Sequence, residues 1–83
     1  MKVILNIIDD GPHAPDTDVL IVRDSKWELQ VCFDGRAYWV YIFALGKEGQ
    51  RTWTRLTMDG GAIPGAARAA ASKAWREITG PAV

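Results

Sequence analysis

An 83-residue chain builds one folded domain, because it is too short for two separate hydrophobic cores. Its composition, with 48% hydrophobic and 24% charged residues, is that of a globular protein, and its ten basic and ten acidic side chains balance. No apolar run approaches the roughly 18 residues of a transmembrane helix, and the N-terminal stretch lacks the pattern of a signal peptide. We therefore predict a single domain over residues 1–83 that lies in the cytoplasm, where the lone cysteine stays reduced.

The first part of the chain predicts strands separated by a polar loop. Residues 2–8 are mostly β-branched and apolar, which favours a strand. Residues 9–18 contain two prolines, one glycine and four aspartates, a composition typical of a loop. A second strand is predicted over residues 18–24. Residues 26–33 alternate between apolar and polar side chains, which predicts a third strand with one buried face.

Two further strands follow a predicted hairpin. Asp34 and Gly35 form the residue pair that most strongly favours a two-residue turn. Residues 36–46 come next and have no fully polar side chain at their centre, so this strand is apolar on both faces. A glycine-flanked loop then leads into a strand over residues 51–58.

The last element is predicted to be a helix over residues 64–79. Pro64 suits its first turn, and Gly80 marks its end. At about 100° per residue, one side of this helix is nearly all alanine, which lets it lie close to a sheet. The predicted fold class is α+β, an antiparallel sheet of four or five strands backed by one C-terminal helix. The residues predicted on the sheet-facing side of the helix are Ala66, Ala67, Ala70, Ala71, Ala74 and Ile78.

The predicted turns determine which side chains share a face of the sheet. A two-residue turn places Phe33 opposite Arg36, and a five-residue loop places Leu45 opposite Arg51. One face is then the core beneath the helix, and the other gathers large aromatic side chains and arginines. The cross-strand pairs predicted on that second face are Phe43 with Trp53, Tyr41 with Arg55, and Trp39 with Thr57.

The second face predicts either a further buried layer or a binding surface, and the sequence leaves both open. The first two strands fold over it, which makes its aromatics part of the core, or they cover one edge and leave the rest open, or they leave it exposed. Trp, Tyr and Arg are enriched in interface hot spots, so an exposed face of this kind predicts partner binding. The predicted partner-binding residues are Trp39, Tyr41, Phe43, Arg51, Trp53 and Arg55.

The sequence contains no pattern typical of a catalytic or metal site. His13 is the only histidine and is predicted to be a solvated loop residue, since a triad or a histidine metal site needs titratable partners. Cys32 is predicted to be a space-filling thiol, and the aspartates of residues 9–18 lack the glycine-centred spacing of a calcium loop. We predict a protein that is not an enzyme and that uses no cofactor or metal.

Residues 27–78 resemble the three-stranded sheet and helix of AP2-type and integrase arm-type DNA-binding domains. The resemblance is carried by KWELQVCF, the DG turn, YWVYIFAL, RTWTRLTM and the alanine-rich helix. It implies nucleic-acid binding by the helix-free face of the sheet. The charge of residues 26–83, which carry eight basic and five acidic side chains, favours binding to nucleic acid. The residues implied by the resemblance are Arg36, Trp39, Arg51, Trp53 and Arg55.

The acid-rich loop, the small sheet and the C-terminal PGAARAAASKAW helix are also similar to small phage-encoded anti-CRISPR and other anti-defence proteins. That resemblance implies non-catalytic inhibition by docking on a host protein or nucleoprotein complex, in the host-cell cytoplasm. This is the predicted function, and nucleic-acid binding by the same sheet face is the alternative. A basic stripe on the helix, formed by Arg68, Lys73 and Arg76, is predicted to contact phosphates or to be an ordinary solvated surface.

Overall fold

The computed structural model of the chain describes residues 1–80, except for the side chains of residues 53–56. It confirms the α+β class, with a five-stranded antiparallel sheet and one C-terminal helix. No helix within the described residues is long and apolar enough to cross a membrane. In chain order the elements are β1 (Lys2–Asn6), β2 (Thr17–Arg23), β3 (Trp27–Phe33), β4 (Tyr38–Leu45), β5 (Arg51–Asp59) and α1 (Pro64–Thr79).

The sheet is a meander in which each strand pairs with the next along the chain, in the order β1-β2-β3-β4-β5. The first two strands therefore widen the sheet and do not fold over it, which settles the question that the sequence left open. Irregular pairing, of the β-bulge type, interrupts β1 between Val3 and Leu5 and β2 between Asp18 and Leu20. Both β1 and β5 are edge strands.

The hydrophobic core lies between the sheet and α1. The helix packs over β3 and β4, near the middle of the sheet. Its buried residues are all small, which allows the helix backbone to approach the strands closely. The largest fully buried side chains of the core are Ile8, Val19, Leu29, Val31, Val40 and Ile42.

The predicted bounds of α1 are confirmed, but one of its predicted core residues is not in the core. Ala67, Ala71 and Ala74 are buried, whereas Ala66 is exposed. Trp75 packs against the core and is half-buried. The buried side of the helix is thus centred nearer its C-terminal half than the alanine pattern predicts.

The prediction of a two-residue turn between β3 and β4 is wrong. Phe33 pairs with Tyr38, so the loop has four residues, and the backbone N–H of Asp34 donates to the carbonyl of Ala37 over 3.0 Å. Gly35 takes the positive φ of 105° that this loop requires. The longer loop places Arg36 in solvent, where its charge stays hydrated, and Tyr38 in the core.

The register predicted between β4 and β5 is right only at its start. Leu45 pairs with Arg51 as predicted. An irregularity in the pairing follows, so Phe43 pairs with Arg55, whereas the sequence predicts Trp53 as its partner. The shift continues along the strands, so that Tyr41 pairs with Thr57 and Trp39 with Asp59. Because the shift is an even number of residues, each β4 side chain keeps its predicted face and only its neighbour changes.

His13 is not the solvated loop residue that the sequence predicts. Its Nε2 lies 2.7 Å from the carbonyl oxygen of Ile7, and its Nδ1 lies 3.0 Å from the hydroxyl of Tyr38. A carbonyl only accepts, so Nε2 is the donor in the hydrogen bond to Ile7. The imidazole also contacts the ring of Phe33, and it fastens the loop between β1 and β2 to the core.

Candidate functional site

The candidate site is the sheet face that points away from α1, which we call the aromatic face. Trp39, Tyr41 and Phe43 alternate along β4 and point to this side, and each is half-buried. No element of residues 1–80 packs over it, because the helix lies on the other side and both N-terminal strands extend the sheet. Across the strands, the described side chains on this face form three rows: Lys2, Arg23, Glu28 and Phe43; Leu5, Ile21, Gln30, Tyr41 and Thr57; and Asp18, Cys32, Trp39 and Asp59.

One end of the aromatic face is basic and is organised around a buried carboxylate. Glu28 is only 4% exposed. Its Oε1 accepts from Nε of Arg23 over 2.9 Å, and its Oε2 contacts the guanidinium of Arg51. Arg23 also donates to the carbonyl oxygen of Gly49 over 3.0 Å. The two arginines are therefore held in place by Glu28, which also neutralises part of their charge.

Aromatic rings complete this basic end. The central carbon of the Arg51 guanidinium lies 4.3 Å from the centre of the Phe43 ring, a cation–π distance. The Phe43 ring in turn lies 6.5 Å from the Tyr41 ring, with the two planes 16° apart. A guanidinium and two near-parallel rings thus form one continuous, ordered surface.

The opposite end of the aromatic face is acidic. The indole Nε1 of Trp39 donates to Oδ2 of Asp34 over 2.7 Å, which fixes the orientation of the ring. Asp59 lies directly across from Trp39 on β5, and Asp18 lies two strands away in the same row. The backbone N–H groups of Ala37 and Arg36, followed by the Trp39 indole, hold the pKa of Asp34 below its ordinary value. This carboxylate therefore stays charged beside Trp39.

A shallow depression of about 350 Å³ lies between the two ends, lined by Gln30, Cys32, Tyr41, Phe43 and Arg51. Burial, and then the negative charge of Asp18, raise the pKa of the Cys32 thiol. A neutral thiol is a poor nucleophile, so this cysteine is not activated for chemistry. Gln30 donates to Asp18 over 2.6 Å, and the floor of the depression is therefore polar but internally hydrogen-bonded.

The structure brings together the described part of the predicted site. Trp39, Tyr41, Phe43 and Arg51 share the aromatic face, as predicted. The side chains of Trp53 and Arg55 lie outside the described residues. The basic stripe of Arg68, Lys73 and Arg76 is exposed on α1, on the other side of the sheet, so it does not extend this site.

The sequence-based prediction missed the residues that order the aromatic face. Arg23 was not assigned to it, Glu28 was placed on this face without an ion pair, and Asp34 was assigned only to the turn. The sequence did contain a signal for the pair of Arg23 and Glu28. The two residues have opposite charges and lie near the facing ends of the predicted strands 18–24 and 26–33, where they become cross-strand partners. The Asp34 interaction with Trp39 depends on the four-residue loop and follows only from the correct register.

Among the residues that the structure describes, no group of three or more His, Cys, Asp or Glu side chains is arranged to hold a metal ion. No protein-family model, curated protein or solved structure matches this chain. The geometry of the aromatic face is therefore the basis for assigning a function.

Proposed function

We propose that this protein is a non-catalytic binding protein that docks on another protein through its aromatic face. The observation that supports this most is the distribution of charge around the aromatic row. Trp39, Tyr41 and Phe43 run from an acidic end to a basic end, and no element of residues 1–80 covers them. The resemblance to anti-CRISPR proteins extends the proposal to the partner, a host protein or nucleoprotein complex that is inhibited when the face is occupied.

Ordered aromatic side chains favour protein binding because they lose little conformational entropy on docking. Asp34 already orients Trp39, and Arg51 already packs on Phe43 before any partner arrives. Side chains that are held in place in this way act as anchors in interface hot spots. A partner with a basic patch facing Asp34 and an acidic patch facing Arg51 would match both ends of the row.

The alternative is nucleic-acid binding by the same face, favoured by its row of aromatic rings, on which bases stack. Two features of the charge weigh against it. Arg23 and Arg51 are paired with Glu28, so part of their charge is neutralised before a phosphate could bind. Asp18, Asp34 and Asp59 at the Trp39 end would repel a phosphate backbone.

The test is affinity capture from a bacterial lysate treated with nuclease, followed by affinity measurements with the purified partner. Tyr41→Ala and Trp39→Ala should each weaken binding by about 1 to 4 kcal/mol, as hot-spot truncations do. Lys73→Ala, on the exposed side of α1, is the matched control and should bind as the parent protein does. Circular dichroism and urea unfolding establish that each variant is folded.

Salt dependence separates the two functions. Binding through phosphates releases counterions, so affinity falls with a slope of roughly −0.9 per phosphate neutralised on a logarithmic scale. The protein-binding proposal expects a much shallower slope and a partner that survives nuclease. Capture of bare nucleic acid with a steep salt slope, or unchanged binding by both aromatic variants, would contradict it.

A further inference from the structure

An apolar groove runs along α1 on the side of the molecule opposite the aromatic face, and we call it the helix groove. Two adjoining depressions of about 320 Å³ and 420 Å³ form it. Leu20 of β2 and Ser72 of α1 line both, so the groove is continuous. It belongs neither to the aromatic face nor to any interaction assigned above.

The groove exists because one helix is too narrow for this sheet. Adjacent strands lie about 4.8 Å apart, and a helix with its side chains is about 10 Å wide, so one helix covers about two strands. Here α1 covers β3 and β4. On the same side, Val3 of β1, which pairs with the core residue Val22, is left 52% exposed, and Met1 is 78% exposed. Because Val19 and Val22 of β2 are already buried, the uncovered strip lies over β1 and the neighbouring part of β2 around Leu20. A second helix laid beside α1 would cover this strip.

The wall of the groove formed by α1 is suited to helix packing. Gly65, Ala69 and Ser72 line it at spacings of four and three residues, and their small side chains let another helix approach to about 8 to 10 Å between axes. The floor is apolar at the Arg76 end, where Leu20 and Val22 line it, and mixed at the Arg68 end, where Asn6 lies beside Ile8.

The charge at the rim identifies the chemistry of the occupant. Arg68 and Arg76 line the groove near its two ends, and no acidic residue lines it within the described part of the chain. Arg68 also pairs with Asp9 over 2.9 Å, at a site where both side chains are more than half exposed. Arg76 has no carboxylate within ion-pair distance among the described residues.

We propose that the helix groove binds an amphipathic helix of a partner protein that carries acidic residues along its edge facing α1. A second copy of this chain fits less well. Its only described helix bears Arg68 and Arg76 on the groove-lining side, so an antiparallel pair of α1 helices would place arginine opposite arginine. An acidic helix instead supplies a carboxylate for Arg76, since Arg68 already pairs with Asp9, and it completes the second layer of the fold.

The test uses a synthetic stapled helical peptide of the same length as α1, with a leucine and alanine stripe flanked by glutamate. Titration into the ¹⁵N-labelled protein should give saturable shift changes at Leu20, Val22, Ala69 and Ser72. A peptide with lysine in place of glutamate should bind at least about tenfold more weakly. Arg76→Glu should reduce or reverse this preference for the acidic peptide.

Paired variants test the position of the peptide. Ser72→Trp fills the groove from an exposed position and should weaken binding by at least about tenfold. Lys73→Trp, at the next exposed position outside the groove, should leave the affinity unchanged. The proposal is overturned by equal affinity for the two peptides, by shifts confined to Tyr41 and Phe43, or by no saturable binding. It is also overturned if sedimentation shows self-association that Ser72→Trp abolishes, since a second copy would then be the occupant.

Discussion

The guanidinium of Arg51 packs 4.3 Å above the ring of Phe43 while it contacts the buried carboxylate of Glu28. The pair joins the start of β5 to the middle of β4, next to the irregularity between these strands. An aromatic ring and a carboxylate together hold one arginine side chain, which is 42% exposed. The same contacts support the fold and order the aromatic face.

Replacing Glu28 should destabilise the protein. Glu28→Gln keeps the shape but removes the charge that two arginines share, and we expect a loss of about 1 to 3 kcal/mol in the free energy of unfolding. This loss is smaller than the loss expected for a fully buried ion pair, because both arginines are partly exposed. Urea unfolding measures it.

A double-mutant cycle tests the origin of this loss. Arg51→Met combined with Glu28→Gln should be less destabilising than the sum of the two single changes, because the pair is broken only once. Lys47→Met, at an exposed position in the loop before β5 with no ion pair to Glu28, should combine additively with Glu28→Gln. Strict additivity for Arg51 would show that its contact with Glu28 contributes nothing to stability.

Acid should release Trp39 from Asp34 only at unusually low pH. The pKa of Asp34 is lowered in the folded protein, mainly by the N–H groups of Ala37 and Arg36, so its contribution to stability is complete above the ordinary aspartate pKa. That contribution is lost as the pH falls through the lowered folded value. The indole N–H resonance of Trp39 should report this titration by NMR. A midpoint at or above the ordinary aspartate value would be inconsistent with the hydrogen bonds described.

Cys32 should react slowly with alkylating reagents at neutral pH. Burial and the charge of Asp18 raise its pKa, so the reactive thiolate forms only above the ordinary thiol range. The unfolded chain loses this proton first, and stability should therefore decline slightly as the pH rises past the ordinary value. Iodoacetamide labelling followed by mass spectrometry gives the pH profile. Asp18→Asn should move the onset of reactivity to lower pH, and an unchanged onset would exclude the role of Asp18.

Enlarging the buried side of α1 should cost more than enlarging its exposed side. Ala74 is fully buried, so Ala74→Leu forces extra volume between the helix and the sheet and should destabilise the protein by about 1 to 3 kcal/mol. Ala66→Leu is the matched control, because Ala66 is exposed although the alanine pattern predicts it in the core. Thermal unfolding of both variants compares the two sites, and equal losses would mean that the helix is rotated relative to the structure described.

The sequence predicts the elements well because local signals agree there. Pro64 and Gly80 define α1, and the alternation of residues 26–33 defines β3 and its buried face. The part of the aromatic face that β3 and β4 contribute is also predictable, since the register errors are even-numbered and leave each side chain on its own face.

The arrangement of the site could not be predicted from local signals. Asp34 and Gly35 favour a two-residue turn, but the carboxylate of Asp34 accepts from the backbone of Arg36 and Ala37 and stabilises a longer loop. Whether β2 widens the sheet or covers it depends on the pairing of β2 with β3, which the hydrophobic pattern does not specify because both strands carry apolar side chains in either arrangement.

The bulge in β1 also has a consequence for solubility. As an edge strand that leaves Val3 and Ile4 half exposed, β1 offers a template on which another chain could add a strand and begin aggregation. The irregularity between Val3 and Leu5 breaks the flat row of free backbone groups, and Lys2 adds a charge at its start. A regularised β1 would be expected to leave the fold intact while making the protein more prone to form fibrils.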